Sequence, residues 1–349
     1  MDLFSTNTLV GVVEQLPTPP SHFLDTEFPN VLEDPSEEIH FDLDESKPRI
    51  TPFVSPLVAG KVINDRGFTT KTFKPAYAKD KRRWQPNRPL KRVIGEKIGG
   101  SLSPEQRLQV LMGQTVEDML AMLTRREEVM ASEALRLGKV TVSGEGFDTV
   151  VVDFGRHADL RDVLTGNNRW NVVHADSDPI KDLEDWAILF QAKSFTVPSR
   201  VNMAPDTFAA FRTRLVARDE WKFLVDYRRA STGSSIDLAP GNGEKARFVG
   251  KIGEFDIWVY DDIYLDDDGA EQHLMPSGEL VMTGDALDGT RCYAAIQDEA
   301  AGYAATRFHV KSWLEQDPAV RWMLLQSAPL VVPFRPNASL GAEVLNGGA

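Results

Sequence analysis

The longest regular pattern of apolar positions lies between residues 104 and 137. Ser103, Pro104 and Gln106 have the spacing of a helix capping box, and Gly138 is typical of the residue that follows a helix. We therefore predict one helix of roughly 34 residues, about 50 Å long. Its apolar stripe does not keep a strict heptad, so the helix is either a spine packed on a sheet or one half of a coiled coil. The stripe recurs at steps of three and four residues, at Leu108, Leu111, Met112, Val116, Met119, Leu123, Met130, Ala134 and Leu137.

The rest of the chain after this helix mixes strand and helix patterns. A hairpin is predicted at 139–154 around Gly144 and Gly146, and helices are predicted from Asp178 and from Pro205. Residues 157–178 are polar and indicate a loop. Further strands are predicted in "ARFVGKI", "FDIWVYDDIYL", "EQHLM" and "ELVMTG", and two long strands surround a turn at 316–318. The predicted fold class is α+β.

Residues 1–50 are rich in proline and acidic residues and contain few apolar positions. Pro19, Pro20 and Pro29 interrupt any helix in this stretch. We therefore expect an extended N-terminal arm and not a packed unit.

Residues 51–95 predict a projecting hairpin. "FTTKTFKPAY" alternates as a strand does, a tip is expected at 79–81, and "RRWQPNRPLKRV" is interpreted as the return arm. Pro75, Pro86 and Pro89 cannot donate to a strand ladder, which excludes the middle of a sheet. About ten residues in each arm would project roughly 33 Å, and such a hairpin needs a surface on which to lie.

Charge is segregated into blocks along a chain whose formal net charge is −13. Residues 1–50 contain eleven acidic and two basic residues, whereas residues 51–95 contain eleven basic and two acidic residues. Segregation of this kind indicates surfaces that meet partners. The overall acidity argues against a general nucleic-acid binder, because phosphate repels a negative surface.

Candidate chemistry is sparse. The single cysteine, Cys292, excludes an intrachain disulfide and is expected in the core, and the six histidines show no metal-ligand spacing. No nucleotide-binding or hydrolase motif occurs, and we expect no signal peptide and no membrane span. We therefore expect no enzyme, no catalytic residue, no cofactor and no metal. The alternative is a soluble hydrolase that uses an acid pair such as Asp261 and Asp262.

Several stretches together resemble one family. They are "FVSPLVAGKVINDRGFTTKTFKPAY", "LRLGKVTVSGEGFDTVVVDFGR", "CYAAIQDEAA" and "SWLEQDPAVRWMLLQSAPL". In this order they resemble the lambda-like major capsid proteins of tailed bacteriophages. The resemblance implies the Hong Kong 97-type fold, with an N-terminal arm, an extended loop, a peripheral domain with a spine helix, and an axial domain. The matching ranges here are 1–50 for the arm, 51–95 for the loop, 96–177 with 291–349 for the peripheral domain, including the helix at 104–137, and 178–290 for the axial domain.

The resemblance also implies a function and partners. Such a chain assembles in the host cytoplasm into hexamers and pentamers of an icosahedral procapsid, which expands as double-stranded DNA enters and becomes the head of the virion. The implied partners are a scaffolding protein, a portal, a decoration protein and the packaged DNA, which is contacted without sequence specificity. No membrane is involved. The alternative within the same fold is the shell of a cellular nanocompartment.

The basic hairpin supplies the predicted site, which is an interface between subunits. Its bases would lie against the acidic surface of a neighbouring copy, because charges more than about 10 Å apart are screened at physiological salt. Its aromatic residues would supply apolar anchors. A solvated loop and a contact with packaged DNA are the alternatives. The predicted interface residues are Lys71, Phe73, Lys74, Tyr77, Arg82, Arg83, Trp84, Arg88 and Arg92.

Overall fold

The structure is a computed structural model of the chain. It describes residues 19–43, 50–51, 53–57, 59, 69–85, 87–93, 96, 100, 102–144, 146–218, 224–225, 246–266, 269–317 and 320–345. Most of the stretch between the first strands, residues 44–68, lies outside the described residues, as does most of 219–245.

Four helices and nineteen strands are found in the described residues. The helices are α1 (Phe23–Thr26), α2 (Pro104–Leu137), α3 (Pro179–Ser194) and α4 (Pro205–Ala217). The strands of the first half are β1 (Asn30–Asp34), β2 (Ile39–Leu43), β3 (Thr69–Phe73), β4 (Ala78–Trp84), β5 (Lys139–Gly144), β6 (Phe147–Asp153), β7 (Arg161–Val163), β8 (Arg200–Met203) and β9 (Leu224–Val225). Those of the second half are β10 (Ala246–Ile252), β11 (Phe255–Tyr260), β12 (Ile263–Leu265), β13 (Glu271–His273), β14 (Glu279–Thr283), β15 (Gly289–Ala294), β16 (His309–Glu315), β17 (Val320–Ser327), β18 (Pro329–Pro333) and β19 (Ser339–Glu343).

The long helix α2 has the predicted limits. The Ser103 side chain accepts from the backbone N–H of Gln106, the Gln106 side chain accepts from the backbone N–H of Ser103, and Gly138 ends the helix with φ +68°. The helix packs along its length on strands of its own chain, chiefly β18, β5 and β19. The prediction of a spine on sheets is therefore confirmed, and the coiled-coil alternative is wrong.

Several sheets lie around this spine, among them the three-stranded sheet β1-β15-β18, which meets it through β18, and the hairpin β5-β6. A seven-stranded sheet has the order β7-β19-β14-β8-β11-β10-β9, and together with α3 and α4 it contributes a large share of the main core. A three-stranded sheet, β16-β17-β4, covers the first half of α2 and closes a second, smaller core. The seven-stranded sheet takes β7 and β19 from outside the range predicted for the axial domain.

Most predicted elements after the spine are confirmed. The hairpin β5-β6, the helices α3 and α4, and the two long strands β16 and β17 all occur where the pattern placed them. The segment 157–178 differs from its prediction, because it contains β7 and the buried Trp170. The sequence neighbours of Trp170 are polar, yet its side chain lies in the core. Its indole N–H donates there to Asp182 over 2.8 Å, which satisfies the one polar group of the ring.

The N-terminal segment is packed in its described part, so the expectation of an unpacked arm is wrong for residues 19–43. Phe23, Leu24 and Phe28 are fully buried in the main core. The buried carboxylate of Glu128 on α2 accepts from the backbone N–H groups of residues 22, 23 and 24 at 2.7–3.0 Å. Composition averaged over fifty residues concealed these few apolar anchors.

The predicted basic hairpin is also wrong. Residues 78–84 form one continuous strand, β4, which pairs antiparallel with β17 from Ala78↔Ser327 to Trp84↔Arg321. No tip exists at 79–81, and β3 pairs with β2 instead of with a return arm. Pro75 and Pro89 lie outside β4 on either side, so they do not hinder its pairing. The partner strand is about 240 residues away in sequence, which no local pattern reveals.

Candidate assembly surface

One face of the three-stranded sheet β16-β17-β4 carries a row of exposed cations. Side chains of β4 alternate between the two faces of the sheet, and those of Lys79, Lys81 and Arg83 are the exposed ones. The opposite side chains, including Arg82 and Trp84, are half-buried toward α2. Strand alternation therefore separates the basic residues into an outward set and an inward set.

Two tryptophans lie beside the outward cations. Arg83 is paired with Trp322 across β4 and β17, and Trp322 is paired with Trp313 across β17 and β16. The Lys81 ammonium lies 4.2 Å from the ring centroid of Trp322 and 5.5 Å from that of Trp313, and Arg83 lies 6.0 Å from the Trp322 ring. These are cation–π contacts that hold the charges on the surface. We call Lys79, Lys81, Arg83, Trp313 and Trp322 the cationic face.

The other side of this sheet is anchored on the spine helix. Val116 and Met119 of α2 pack with Met323 and Leu325 of β17 in the second core, and Trp84 packs against this core. These close contacts fix the position of β4 on the body of the subunit. The cationic face therefore belongs to a sheet that is packed on the subunit, and it is not part of a projecting hairpin.

The cations of this face have no carboxylate partner within the described chain. None of Lys79, Lys81 and Arg83 forms an ion pair with a described residue, although Lys79 lies 5.1 Å from the ring of Tyr77. The neighbouring Lys311 does have a carboxylate partner, Asp298. Lys311 and a second donor, Gln326, together lower the pKa of the Asp298 carboxyl to about 2. The face thus presents three positive charges that an external group can neutralise.

Most of the interface residues predicted from the sequence are bound to their own chain. Lys71 donates to the Asp153 carbonyl over 2.6 Å, and Lys74 pairs with Glu37. The Tyr77 hydroxyl donates to the Ala295 carbonyl over 2.8 Å, and Phe73 packs against the main core. These contacts stabilise the subunit itself.

The four arginines divide in the same way. Arg82 binds Asp80 and also reaches Asp118 of α2 over 3.4 Å, and Arg92 donates to the Glu96 carbonyl over 2.7 Å. Arg83 and Arg88 are exposed. Sequence reasoning missed Lys79, Lys81, Trp313 and Trp322 as members of one surface, which the pairing of β4, β17 and β16 brings together. The alternation in "AKDKRRW" could have separated outward from inward bases, but the tryptophans required the strand pairing.

Two negative findings apply to the described part of the chain. No group of three or more His, Cys, Asp and Glu side chains is placed to hold a metal ion. None of the described helices combines the length and the apolar character that a membrane crossing needs. Cys292 is buried, as expected, and burial raises the pKa of its thiol to about 12, which leaves the thiol unreactive.

The long spine helix and the sheets packed on it form the Hong Kong 97-type fold. The crystal structure of the capsid protein of a prophage from Escherichia coli CFT073 has this fold, with a TM-score of 0.74 and 23% identity over 97% of this chain and 98% of that one. The family model for "Phage major capsid protein E" matches residues 5–344. The chain belongs to this family and is a major capsid protein, a structural component of the phage head.

Individual relatives agree with this assignment. The major capsid protein of Enterobacteria phage P21 is 30% identical over 351 residues, which cover 99% of this chain and 100% of the relative. The major capsid protein of Escherichia phage lambda is 29% identical over 297 residues, or 84% of each chain. The lambda-like resemblance noted in the sequence is therefore confirmed.

Proposed function

We propose that the chain forms the hexamers and pentamers of an icosahedral phage head and that its role there is structural, without catalysis. The shell would assemble in the host cytoplasm around a separate scaffolding protein, with a portal at one vertex. It would expand as double-stranded DNA enters, and a decoration protein would bind to the outside. The family assignment and the relatives named as phage and prophage head proteins support a phage head over a cellular nanocompartment.

The domain roles follow the same proposal. Residues 96–177 and 291–349 would form the peripheral domain around α2, and 178–290 would form the axial domain near the capsomer centre. Two adjustments improve this division. Because β4 pairs with β17, we would count it with the peripheral domain instead of the extended loop, and because β7 and β19 pair within the sheet that holds the predicted axial strands, we would count them with the axial domain.

The observation that carries the interface proposal is that the cations of this packed sheet form no ion pair with any residue that the structure describes. Exposed ion pairs contribute only about 0.2–1 kcal/mol each, but several held in register set the orientation of two subunits. We therefore infer that Lys79, Lys81 and Arg83 lie against another subunit in the shell. Arg88, which follows β4 after Trp84, would take part from the end of the strand nearest Arg83. Because Arg82 is bound in its own chain, we expect it to support the subunit instead.

Charge reversal of this face tests the interface. Lys79→Glu, Lys81→Glu and Arg83→Glu combined should leave the subunit folded, because all three side chains are exposed, and should reduce the yield of closed particles at least tenfold. Particles are counted by electron microscopy and sedimentation, and folding is checked by circular dichroism.

A matched control carries the same change in net charge. Lys139→Glu, Arg212→Glu and Arg247→Glu alter three exposed cations elsewhere on the subunit. If the control and the face variant lose particles equally, the effect is a general one of added negative charge. If the face variant assembles as well as wild type, the cationic face is not an interface.

A further inference from the structure

An acidic strip lies along the N-terminal segment. Strand β1 forms one edge of the three-stranded sheet β1-β15-β18 and pairs, parallel, with β15 alone among the described strands. Glu33 on this strand and Glu37 and Glu38 in the following turn are exposed. Val31 and Leu32, beside them, are 55% and 38% exposed. We call Val31, Leu32, Glu33, Glu37 and Glu38 the acidic edge.

The acidic edge is firmly held on the subunit. Five consecutive residues of β1 pair with β15, and the Ala295 backbone N–H donates to the Ser36 carbonyl over 2.9 Å. The buried Phe28 anchors the start of the strand. Such a surface can bind without first becoming ordered, which lowers the entropic cost of association.

Its carboxylates are not fully neutralised within the chain. Glu37 pairs with Lys74, and this contact holds the pKa of the Glu37 carboxyl below its ordinary value. Glu33 and Glu38 have no ion pair with any described residue. The same subunit therefore has one surface with excess negative charge and one with excess positive charge.

The two surfaces match in composition and size. The acidic edge has three carboxylates, one of them paired with Lys74, and two exposed aliphatic side chains, whereas the cationic face has three cations and two tryptophans. The four residue steps from Lys79 to Arg83 span about 13 Å, and the five steps from Glu33 to Glu38 span at most about 17 Å. Aliphatic contact with the tryptophan edges would add apolar burial to the charge pairing.

We propose that the acidic edge of one subunit docks on the cationic face of a second copy of the same chain. The contact joins two different patches, so it is heterologous and repeats from copy to copy, which generates a ring when the rotation closes. This inference rests on the proposed function, because it names the counter-surface for the interface assigned there.

Packaged nucleic acid is the less favoured occupant of the cationic face. Packaged DNA is double-stranded, so it would meet this face through its phosphates and not through its bases. The net charge of −13 also opposes a phosphate backbone near this subunit. The outward ammonium and guanidinium groups can donate to the carboxylates of an acidic protein surface.

Disulfide trapping tests the contact in assembled particles. Lys81→Cys together with Glu37→Cys should give covalently linked multimers on a non-reducing gel after mild oxidation of purified particles. Each single variant should give at most a faint dimer band. The background is low because the only native cysteine, Cys292, is buried with its thiol pKa raised to about 12. Lys139→Cys with Glu37→Cys is the matched control and should remain monomeric.

Reversing the charges on both surfaces at once tests whether the acidic edge is the partner of the cationic face, and not only whether the face is an interface. Glu33→Lys, Glu37→Lys and Glu38→Lys should block assembly when made alone. Combined with Lys79→Glu, Lys81→Glu and Arg83→Glu, they should restore particles to within about threefold of wild type, because the attraction is re-created with its sign reversed.

The outcomes distinguish the two proposals. If reversing the cationic face blocks assembly but the exchange does not rescue it and no multimers are trapped, the face is an interface and the acidic edge is not its partner. Protection of the cationic face only in DNA-filled particles would assign it to nucleic acid and would also overturn this inference. Normal assembly of the face variant would overturn the proposed interface itself.

Discussion

Glu128 joins three parts of the molecule through one buried carboxylate. It accepts from three consecutive backbone N–H groups, of His22, Phe23 and Leu24, and from the Tyr260 hydroxyl over 2.8 Å. Burial nevertheless raises the pKa of this carboxyl above its ordinary value, the donors opposing the shift. A single spine residue thus connects the N-terminal segment to the strands of the large sheet.

Replacing this carboxylate should cost much of the stability of the subunit. Glu128→Ala leaves four donors without their acceptor, and we expect the free energy of unfolding to fall by about 3–5 kcal/mol. Glu117→Ala, an exposed position on the same helix, should change it by less than about 0.5 kcal/mol. Urea unfolding of the unassembled subunit measures both. Equal, small effects would mean that Glu128 does not hold the segment.

Asp182 gives the subunit a defined dependence on pH. Burial raises the pKa of its carboxyl to about 6, against an ordinary value of 3.8, although the Trp170 N–H donates to it. A raised folded pKa means that the folded subunit holds the proton more tightly than the unfolded chain. The contribution of this group is therefore fully present below pH 3.8 and is lost as the pH rises through 6.

Asp182→Asn should remove this dependence. The variant keeps an oxygen acceptor for Trp170, so its unfolding free energy should vary less than that of wild type between pH 4 and 7. Asp185→Asn, exposed on the same helix, serves as the control and should retain the wild-type slope in this range. Thermal unfolding at a series of pH values is the measurement. Parallel pH curves for wild type and Asp182→Asn would contradict the assignment.

At the scale of elements, two glycines show opposite requirements around the spine helix. Gly341 on β19 approaches so closely that an added Cβ would lie 2.1 Å from the backbone carbonyl oxygen of Arg136. A Cβ added to Gly113, inside α2, would have no side chain or other described element within 4 Å beyond its chain neighbours and the backbone of its own helix. The close approach of β19 to α2 therefore depends on glycine, whereas the helix itself does not.

Alanine substitution should separate these two roles. Gly113→Ala should raise the free energy of unfolding by about 0.5–1 kcal/mol, because glycine is unfavourable in a helix interior. Gly341→Ala should lower the free energy of unfolding by about 1–3 kcal/mol or prevent folding, because the backbone of β19 or α2 must move to make room for the added Cβ. Chemical unfolding of both variants gives the comparison. A stable, well-folded Gly341→Ala subunit would show that the two elements pack less closely than described.

The same elements show how far sequence reasoning extends. The spine was predicted to the residue, because a capping box, a three-to-four step and a terminal glycine are all local signals. β4 was misread, because its conformation depends on pairing with β17, which is distant in the sequence. Local alternation is equally compatible with a free hairpin and a paired strand, so tertiary contacts decided between them.

The candidate site was predictable in charge but not in geometry. The concentration of bases at 71–92 predicts a surface that meets a partner, yet the sequence could not tell outward Arg83 from inward Arg82. Trp313 and Trp322 join the face only through β16 and β17. The interface role itself stays a prediction.

For the whole molecule, the N-terminal segment is part of the subunit core as well as an acidic surface. Deleting residues 1–45 removes the buried Phe23, Leu24 and Phe28 and the partners of Glu128. We expect this deletion to yield an unfolded or insoluble subunit and not a folded one that only fails to assemble. Circular dichroism and size-exclusion chromatography distinguish these results. A folded, monomeric product would mean that the segment serves assembly alone.

The central claim is that this capsid subunit meets its neighbour through the cationic face on β4. The most direct test is an electron cryomicroscopy map of assembled particles at a resolution that shows side chains. The account predicts that Lys79, Lys81 and Arg83 are covered by another subunit, with carboxylates of its acidic edge within ion-pair distance. A map in which these three side chains point into open solvent would contradict it.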